Sequence, residues 1–298
     1  MRLSTLGEFG LIRKIQKLLK VDSSVIKGAG DDCAVVKLDR NTYQLFTCDM
    51  IVEGVDFTAQ DNPYLIGRKA MAVSLSDIAA CAGIPRYALI ALGVPAYRTV
   101  RFVDEILKGL RDIARRYKVN IVGGDISRSQ KLVIDCSVAG VVEKKYLLLR
   151  SGAKEKDIIF VTGSFGGTRA GKHLRFTPRL KEARFLSRHC KPSAMIDVSD
   201  GLAQDLGHIL YASDKGAILY ESLIPKSRQA RDMEDVLSSG EEFELLFTVS
   251  RKKARALYAK KNSCFKPIGE VTDKKYSLTL VRRDGTQGKV IDKGFRHF

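Results

Sequence analysis

The chain lacks the features that would place it in a membrane or in an oxidising compartment. No apolar run in its 298 residues approaches the roughly 20 residues that span a bilayer. The segment 1–8 contains no apolar signal core. The six cysteines form no Cys-x-x-Cys pair and several lie in apolar runs, so we interpret them as reduced, buried side chains. We therefore expect a cytoplasmic protein that makes no membrane contact.

Histidine-based metal sites and the common catalytic pairs are missing as well. The four histidines have no spacing such as His-x-x-x-His, so the sequence indicates no structural zinc site. No Ser-His or Cys-His arrangement indicates a covalent nucleophile. Acidic residues are also fewer than basic ones, 34 against 51, which gives a formal net charge of +17.

The positive charge is concentrated in two stretches, 169–191 and 251–261. The first contains eight Lys or Arg and one acid, and the second contains six and no acid. Such stretches can bind anionic partners, including nucleic acid. Neither stretch interleaves aromatic side chains as single-strand binders do. We therefore favour a solvated helix face, and a nucleic-acid-binding protein is the least favoured of our functional hypotheses.

Five short acidic motifs are the most informative feature of the chain. They are Gly-Ala-Gly-Asp-Asp at 28–32, Thr-Cys-Asp-Met at 47–50, Ser-Leu-Ser-Asp at 74–77, Gly-Gly-Asp at 123–125 and Ile-Asp-Val-Ser-Asp-Gly at 196–201. Each motif places a carboxylate beside glycine or a small hydroxyl residue. Any one of them has an ordinary explanation as a glycine turn or a helix cap, so only the five motifs together indicate a functional site.

If these motifs converge in the fold, their carboxylates cannot all remain bare anions. Two like charges about 4 Å apart repel by roughly 4 kcal/mol at an effective dielectric constant of about 20. Divalent cations relieve this repulsion, and Mg²⁺ favours a few carboxylates together with substrate phosphates over a cage made by the protein alone. The set of motifs therefore predicts a site for Mg²⁺ and a nucleotide.

The hydrophobic pattern predicts a mixed fold in two domains. A chain of this length is expected to form about two domains, and the polar segment 150–157 leads us to divide it into 1–148 and 149–298. Strands alternate with helices through both halves, which indicates an α/β or α+β protein. Helices are predicted at 7–20, from after Asn62-Pro63 through 68–80, at about 100–117 and in a basic stretch up to about 189. Strands are predicted at 33–38, 43–48, 87–94, 119–122, 132–142 and 158–162.

Two segments outside these motifs also contain glycine turns. Residues 166–172 read Gly-x-x-x-x-Gly-Lys, as in a P-loop, but His173 stands where a Ser or Thr hydroxyl would bind Mg²⁺. We interpret this segment as a strand-to-helix turn whose backbone amides could bind phosphate. In residues 238–245 a glycine turn precedes three acids, and the pattern predicts that Glu241 begins a strand.

In order and spacing, motifs along nearly the whole chain resemble those of the thiamine-monophosphate kinases, a family in the superfamily typified by aminoimidazole ribonucleotide synthetase. Matching motifs include Gly-Asp-Asp-Cys-Ala at 30–34, Val-Glu-Gly-Val at 52–55, Leu-Ser-Asp-Ile-Ala-Ala at 75–80, Arg-Ser-Gly-Ala-Lys at 150–154 and Gly-Phe-Arg-His-Phe at 294–298. The resemblance implies a PurM-like fold, in which an N-terminal ATP- and Mg²⁺-binding sheet forms a barrel in a homodimer. A C-terminal α+β domain would complete the cleft. The implied activity is ATP-dependent phosphorylation of thiamine monophosphate to thiamine diphosphate.

The resemblance also implies roles for individual residues. Several Mg²⁺ ions would be bound by Asp32, Thr47, Cys48, Asp49, Asp77, Asp125, Asp197 and Asp200, with Cys48 acting through its backbone carbonyl. ATP would contact Gly123, Gly124, Asp125, Arg150 and Ser199. Thiamine monophosphate would lie near Asp56, Glu241 and Phe295.

The implied reaction agrees with the absence of a catalytic pair. The acceptor is itself a phosphate whose second pKa is near 6, so at neutral pH it is already mostly in its nucleophilic form. No general base is then required, and we expect no catalytic side chain in that role. We expect direct in-line transfer, in which bridging metal ions align and neutralise two anions.

Three departures from the family pattern keep a second hypothesis open. Asp56 stands where the family usually has a His near the substrate phosphate, and an anion there would repel phosphate unless a metal or a lysine intervenes. Cys48 replaces a usual Thr, and the chain between Pro192 and Ile196 is shorter by about one helix. The alternative is a related ATP-dependent enzyme that acts on a different phosphorylated or small-molecule acceptor.

Overall fold

The computed structural model describes residues 3–258, 264–290 and 294. Two sheets follow each other along the chain, and helices pack against both. In the described residues the helices are α1 (Leu3–Leu6), α2 (Glu8–Leu18), α3 (Pro63–Ala80), α4 (Val100–Tyr117), α5 (Lys172–Arg175), α6 (Leu180–Phe185), α7 (Leu202–Ser213), α8 (Met233–Ser238) and α9 (Arg251–Tyr258), and a π-helical turn at Leu186–Cys190 continues α6.

The first sheet contains the six strands of the N-terminal half. They are β1 (Val25–Lys27), β2 (Ala34–Lys37), β3 (Thr42–Val52), β4 (Ile84–Val94), β5 (Asn120–Arg128) and β6 (Val133–Glu143). Their order is β1-β2-β3-β6-β4-β5, and only the β4–β5 pair is parallel. The long β3–β6 pairing, which places Asp49 opposite Cys136, forms the middle of the sheet.

The second sheet contains seven strands from the C-terminal half. They are β7 (Ile158–Thr162), β8 (Ala194–Asp197), β9 (Gly216–Tyr220), β10 (Leu245–Val249), β11 (Phe265–Thr272), β12 (Leu278–Val281) and β13 (Gln287–Lys289). Their order is β13-β12-β9-β11-β7-β10-β8, and β9–β12 is the parallel pair. Both sheets are therefore mostly antiparallel, and the molecule is a mixed α+β protein.

Helix α3 lies at the centre of the molecule and is buried on almost every side. Asn62 caps it by accepting hydrogen bonds from the backbone N–H groups of Tyr64 and Leu65, and Pro63 occupies the first position, where no donor is needed. The helix packs against the first sheet, against α4 and against α5 and α6. A helix surrounded in this way is expected to be apolar on all faces, so its buried polar side chains require specific partners.

The two halves share one large apolar core. Phe160 and Met195 of the second sheet belong to the same buried cluster as α3 and β3. Phe176, which follows α5, stacks on Phe243 with ring centroids 4.1 Å apart. The domain boundary predicted at 148/149 falls between β6 and β7, and the division of the chain into two domains at that point stays a prediction.

Several predicted elements are confirmed. Helix α4 has the predicted bounds, 100–117, and Thr99 caps it through its side chain. Helices α2 and α3 and strands β2, β4, β6 and β7 lie within a few residues of their predicted positions. None of the helices in the part of the chain that the structure describes is long and apolar enough to cross a membrane.

Other predicted boundaries are wrong, because sheet pairing extends strands through acidic and glycine-rich motifs. Asp49 lies inside β3 rather than after it, since β3 continues to pair with β6 up to Val52. Likewise, β5 continues through the Gly-Gly-Asp motif, with an irregular register beside Leu89 of β4. A Cβ on Gly124 would approach the carbonyl oxygen of Ile90 to 1.7 Å, so this close strand pairing requires glycine.

The basic helical stretch predicted up to residue 189 is also interrupted. Helix α5 ends at Arg175, and α6 begins only at Leu180. Pro178 lies between them, and a proline disfavours the helical conformation of the residue before it. The stretch is therefore two short helices followed by a π-helical turn.

Candidate active site

Four carboxylates from distant parts of the chain gather beside α3. Asp32 precedes β2, Asp49 lies in β3, Asp77 lies near the end of α3 and Asp197 ends β8. One carboxylate oxygen each from Asp32, Asp77 and Asp197 lies within 4.8 Å of the other two. Burial, followed by the charges of Asp49, Asp197 and Asp32, raises the pKa of Asp77 well above its usual range. We call these four residues the acidic cluster.

Neighbouring hydroxyl groups and one arginine contact the acidic cluster. Thr47, which shares a face of β3 with Asp49, donates its hydroxyl hydrogen bond to Asp77. Ser76 Oγ donates to Asp197 Oδ2 at 2.6 Å. Arg150 donates through Nη2 and Nε to Asp32 Oδ1, at 2.7 and 3.2 Å. Arg150 therefore provides one positive charge at the edge of a cluster of four carboxylates.

The acidic cluster lacks enough positive charge of its own. Asp32 Oδ2 and Asp49 Oδ2 are buried and have no hydrogen-bond partner among the described residues, although buried polar atoms are almost always paired. Burial raises the pKa of Asp49 to about 6. Burial, followed by the charge of Asp32, raises the pKa of Asp197 to about 8. Without an added cation, burial and the neighbouring carboxylates therefore favour the neutral forms of Asp49, Asp77 and Asp197.

The ligand atoms of the acidic cluster suit Mg²⁺. They are carboxylate oxygens, the hard donors that this ion prefers, and the cluster is too small to surround it completely. A bound divalent cation would pair the two isolated oxygens and favour the ionised form of the carboxylates. Asp32, Asp49, Asp77 and Asp197 therefore fit a magnesium site, with room for oxygen ligands from water or phosphate.

A cavity of about 440 Å³ opens beside the acidic cluster. Asp49 lines it from β3, and Ser199 and Asp200 line it from the loop before α7. Asp56 and Glu241 also line it. Five residues predicted to bind metal, nucleotide or acceptor therefore share one cavity.

A second cavity, of about 560 Å³, lies between α2 and α7. Arg150, Asp200 and Gln204 are among its lining residues. Gln204 Nε2 donates to Asp200 Oδ2 at 2.9 Å. Asp200 lines both cavities, so the two spaces adjoin at this residue.

Asp56 is tied to its own loop. Its Oδ2 accepts a hydrogen bond from the backbone N–H of Val52 at 2.7 Å, and its carbonyl oxygen accepts one from Lys69 Nζ at 2.6 Å. Lys69 is completely buried in α3 and also forms an ion pair with Glu241. A lysine therefore lies beside the segment that carries the unusual Asp56.

The prediction that Glu241 begins a strand is wrong, because β10 begins only at Leu245. Glu241 lies in the preceding loop with φ +61°, and its backbone N–H donates to the carbonyl of Ser199 at 2.6 Å. Phe243 also has a positive φ, and its N–H donates to the carbonyl of Val198. These contacts hold the loop against the segment that carries Ser199 and Asp200.

The segment that resembles a P-loop binds an anion from the chain itself. The backbone N–H groups of Gly166 and Gly167 donate to Glu242 Oε1. Lys172 Nζ lies 2.7 Å from Glu242 Oε2 and 3.2 Å from Glu244 Oε1. The Glu242 carboxylate is bound by both backbone amides and by Lys172, so this segment is a structural anion site.

Other predicted site residues lie apart from the acidic cluster. Asp125, Gly123 and Gly124 are exposed on β5, the edge strand of the first sheet. Cys48 points to the opposite face of β3 from Asp49, and its Sγ donates to Asp135 at 3.0 Å. Phe295 lies outside the described residues.

Sequence reasoning did not assign a role to Ser76 or Lys69. Ser76 could have been found from its place in the Ser-Leu-Ser-Asp motif, one residue before Asp77. Lys69 gave a weaker signal, because it is the second of two adjacent basic residues in α3, after Arg68, and its partner Glu241 lies 172 residues away.

The chain matches two family models in succession. Residues 30–142 match the N-terminal domain of AIR synthase related proteins, and residues 130–281 match their C-terminal domain. The chain is 34% identical to the thiamine-monophosphate kinase of Bacillus subtilis (strain 168) over 325 residues, which covers 98% of this chain and 100% of the relative. It is also 34% identical to that of Aquifex aeolicus (strain VF5), with 100% of both chains covered. The first alignment is longer than the 298 residues of this chain, so the relative carries segments that the chain lacks.

Solved structures give a similar result. The fold is similar to that of AaThiL complexed with AMPPCP and TMP, with a TM-score of 0.88, 31% identity and coverage of 100% of this chain and 99% of the other. Thiamine monophosphate kinase from Aquifex aeolicus gives a TM-score of 0.82 at 29% identity, with coverage of 97% and 100%. The hydrogenase maturation protein HypE in complex with ATP, at 18% identity and a TM-score of 0.72, covers 85% and 86% and shares the fold alone.

Proposed function

The chain belongs to the thiamine-monophosphate kinase family of AIR synthase related proteins, and we propose that it transfers the γ-phosphoryl group of ATP to thiamine monophosphate. The products are ADP and thiamine diphosphate. Full-length relatives in this family at 34% identity support this activity. The related structure with AMPPCP and TMP supports ATP as the donor.

The acidic cluster at the edge of an open cavity is the observation that carries the proposal. Asp32 and Asp49 each have a buried carboxylate oxygen without a partner among the described residues, and Asp49 also lines the cavity. We propose that Asp32, Asp49, Asp77 and Asp197 bind Mg²⁺. When bound, the ion neutralises phosphate charge and aligns the phosphates for transfer. Asp200 and Arg150 border the second cavity and would bind the nucleotide phosphates through metal and guanidinium, respectively.

The rest of the first cavity is suited to the acceptor. Thiamine carries a positively charged thiazolium ring and an amino group, and the Glu241 carboxylate can accept a hydrogen bond and balance positive charge. The acceptor phosphate is mostly the dianion at neutral pH, since its second pKa is near 6. The chain's own task is therefore to hold two anionic groups in line, without a general base and without a phosphoenzyme.

A direct activity assay tests this proposal. Purified protein is incubated with Mg²⁺, ATP and thiamine monophosphate, and the products are separated by liquid chromatography. We expect ADP and thiamine diphosphate in equal amounts. Unphosphorylated thiamine is the matched control, and it should not react because its hydroxyl would need a general base. ADP formation without thiamine diphosphate would overturn the proposal.

A second candidate acceptor class is supported by one observation, the acidic residue at position 56. Asp56 lines the cavity, although the hydrogen bond from Val52 directs its Oδ2 toward its own loop. The alternative is an ATP-dependent enzyme of the same fold that acts on another phosphorylated or small molecule. A panel of phosphate acceptors separates the two hypotheses, because the alternative requires an acceptor with a higher kcat/KM than thiamine monophosphate.

We also propose that the protein is a homodimer. On the face of the first sheet opposite α3, large apolar side chains are exposed, among them Phe46, Met50, Tyr87 and Leu89. Ile126, on the edge strand β5, is 75% exposed. Large continuous apolar patches usually mark interaction sites, and a second copy of the chain would cover this face.

Light scattering in solution tests the dimer, with an expected mass of twice the 33.0 kDa of the chain. Leu89→Glu should produce a monomer, whereas Leu223→Glu, at an exposed position in the C-terminal half, should not. A wild-type mass of one chain would exclude the dimer. The cytoplasmic location expected from the sequence stays a prediction.

A further inference from the structure

Lys69 is a fully buried charge to which the proposed reaction assigns no role. Its side chain is 0% exposed. Its Nζ donates to the carbonyl oxygen of Asp56 at 2.6 Å and forms an ion pair with Glu241. Lysine is almost never fully buried unless it is paired. These two contacts therefore stabilise the buried ammonium group of Lys69.

The two contacts of Lys69 belong to different walls of the first cavity. Asp56 lies in the loop after β3, and Glu241 lies in the loop before β10. Both residues line the cavity that we assign to the acceptor. One ammonium group thus fixes two loops from opposite halves of the chain at a defined separation.

Lys69 also fixes the orientation of the Glu241 carboxylate in the cavity. The backbone at Glu241 is fixed by its left-handed conformation and by the bond from its N–H to Ser199. Lys69 binds Oε1, and Oε2 has no hydrogen-bond partner among the described residues. The Glu241 side chain is still 32% exposed. One carboxylate oxygen is thus anchored, and the other is left for a ligand.

We propose that Lys69 is a positioning residue for the acceptor substrate. By holding the Glu241 carboxylate and the Asp56 loop together, it places the cationic, amino-bearing part of thiamine monophosphate so that the acceptor phosphate is in line with ATP. Its charge also balances Glu241 in a cavity that already contains Asp49 and Asp200. The inference rests on the proposed function, because it assumes that thiamine monophosphate occupies this cavity.

The first test is the kinetics of Lys69→Met, which keeps the length of the side chain and removes the charge. We expect the KM for thiamine monophosphate to rise by about tenfold or more, and the KM for ATP to change by less than about twofold. Lys108→Met is the matched control, since it makes the same change at an exposed position of the neighbouring helix α4. Equal changes in both KM values would overturn the inference.

The second test asks whether Lys69 acts through Glu241. Residues that act through one shared contact give non-additive effects in a double-mutant cycle. We therefore expect Lys69→Met to raise the KM for thiamine monophosphate by less than about twofold in a Glu241→Gln background. Two independent effects that multiply would show that Lys69 does not position the acceptor through Glu241.

Folding is checked by circular dichroism and thermal unfolding. If Lys69→Met does not fold, Lys69→Arg provides the test, because it keeps the charge but changes the geometry at both contacts. A raised KM for thiamine monophosphate with an unchanged KM for ATP supports the inference, and two unchanged KM values overturn it. A wild-type protein that does not phosphorylate thiamine monophosphate overturns the proposed function and this inference together. An active wild type with a Lys69→Met variant that lacks the selective effect overturns the inference alone.

Discussion

Two groups of buried carboxylates in this molecule differ in how completely the basic side chains of the described residues balance their charge. Glu244, the last residue of the loop at 241–244, contacts Arg179 at 2.7 Å and Lys172 at 3.2 Å. Despite burial, hydrogen bonds from Arg179 and the charge of Lys172 lower the pKa of Glu244. In the acidic cluster, burial and then the neighbouring carboxylates raise the pKa of Asp77.

The difference separates structural charges from ligand-binding charges. A buried charge is stable when it is paired or when it binds a metal. The pairs around Glu244 are complete within the chain, so they hold the loop at 241–244 in place. The acidic cluster is incomplete within the described residues, as the isolated oxygens of Asp32 and Asp49 show. This difference agrees with our proposal that the acidic cluster binds Mg²⁺.

The largest expected effect comes from removing one charge of the acidic cluster. Asp77→Asn should lower kcat/KM by about 10²-fold or more, because a metal ligand and its charge are lost. The metal-free variant should be at least as stable as the wild type, since the change removes repulsion from Asp49 and Asp197. Steady-state kinetics and thermal unfolding in EDTA measure the two effects.

Asp104→Asn, an exposed position on α4, is the control for this variant. It should change neither activity nor stability. If Asp77→Asn retained full activity with Mg²⁺, the assignment of the acidic cluster as the metal site would be excluded. A strongly destabilised Asp77→Asn protein would instead indicate that this carboxylate is structural, like Glu244.

In the paired region the main effect should be on stability. Glu244→Gln removes the buried charge between Arg179 and Lys172, which keep only Glu182 and Glu242 as acidic partners, and should reduce the free energy of unfolding by about 2–3 kcal/mol. Glu182→Gln is the matched control, because Glu182 also pairs with Arg179, at 3.4 Å, but is partly exposed. It should cost about 1 kcal/mol or less. Denaturant unfolding of both variants gives the comparison, and equal losses would contradict it.

The free energy of unfolding should depend on pH in opposite ways for the acidic cluster and for the ion pairs around Glu244. The folded protein holds protons on Asp49 up to a pKa of about 6 and on Asp197 up to about 8, whereas both ionise near 3.9 when unfolded. Without metal, the contribution of these two residues to the free energy of unfolding is therefore largest below pH 4. It decreases by on the order of a few kcal/mol as the pH rises toward 8. The lowered pKa of Glu244 acts in the opposite direction and reduces stability only in acid.

Magnesium should reverse the loss of stability at higher pH. The ion competes with protons for the acidic cluster, so it should raise the melting temperature more at pH 8 than at pH 5. Thermal unfolding between pH 5 and pH 8.5, with EDTA or with Mg²⁺, measures this difference. A Mg²⁺-dependent shift of the same size at every pH would show that the ion binds somewhere other than these carboxylates.

The sequence was sufficient for elements whose signals are local. Helices α3 and α4 were predicted from the hydrophobic pattern within each helix, and the caps that the structure shows, Asn62 and Thr99, also act within one turn. The ends of β3 and β5 could not be predicted in the same way. Aspartate and glycine are disfavoured in strands, and it is pairing with distant strands that carries both elements through Asp49 and through Gly124.

The candidate site shows the same limit. The acidic motifs, taken as a set, indicated a metal and nucleotide site, and the family resemblance implied that Asp32, Asp77 and Asp197 bind the metal. Pairing is not visible in this way. A single sequence does not show that Glu242 fills the glycine-rich anion site, or that Lys69 reaches Glu241 across 172 residues. Which buried charges are paired is decided by the tertiary fold.

The smallest expected effect tests whether an ion pair stabilises the fold because it is buried or because its charged atoms are close together. Arg251 contacts Glu270 at 2.8 Å, nearly the 2.7 Å of the Arg179–Glu244 pair, but its side chain is 63% exposed. Water and salt screen such a pair, so Arg251→Ala should change the free energy of unfolding by about 0.5 kcal/mol or less. Activity should also be unchanged, since the basic helix α9 is interpreted as a solvated face. A loss of stability close to that of Glu244→Gln, measured under the same denaturant conditions, would mean that the contact itself is stabilising. The contrast between the acidic cluster and the paired region would then need an explanation other than burial.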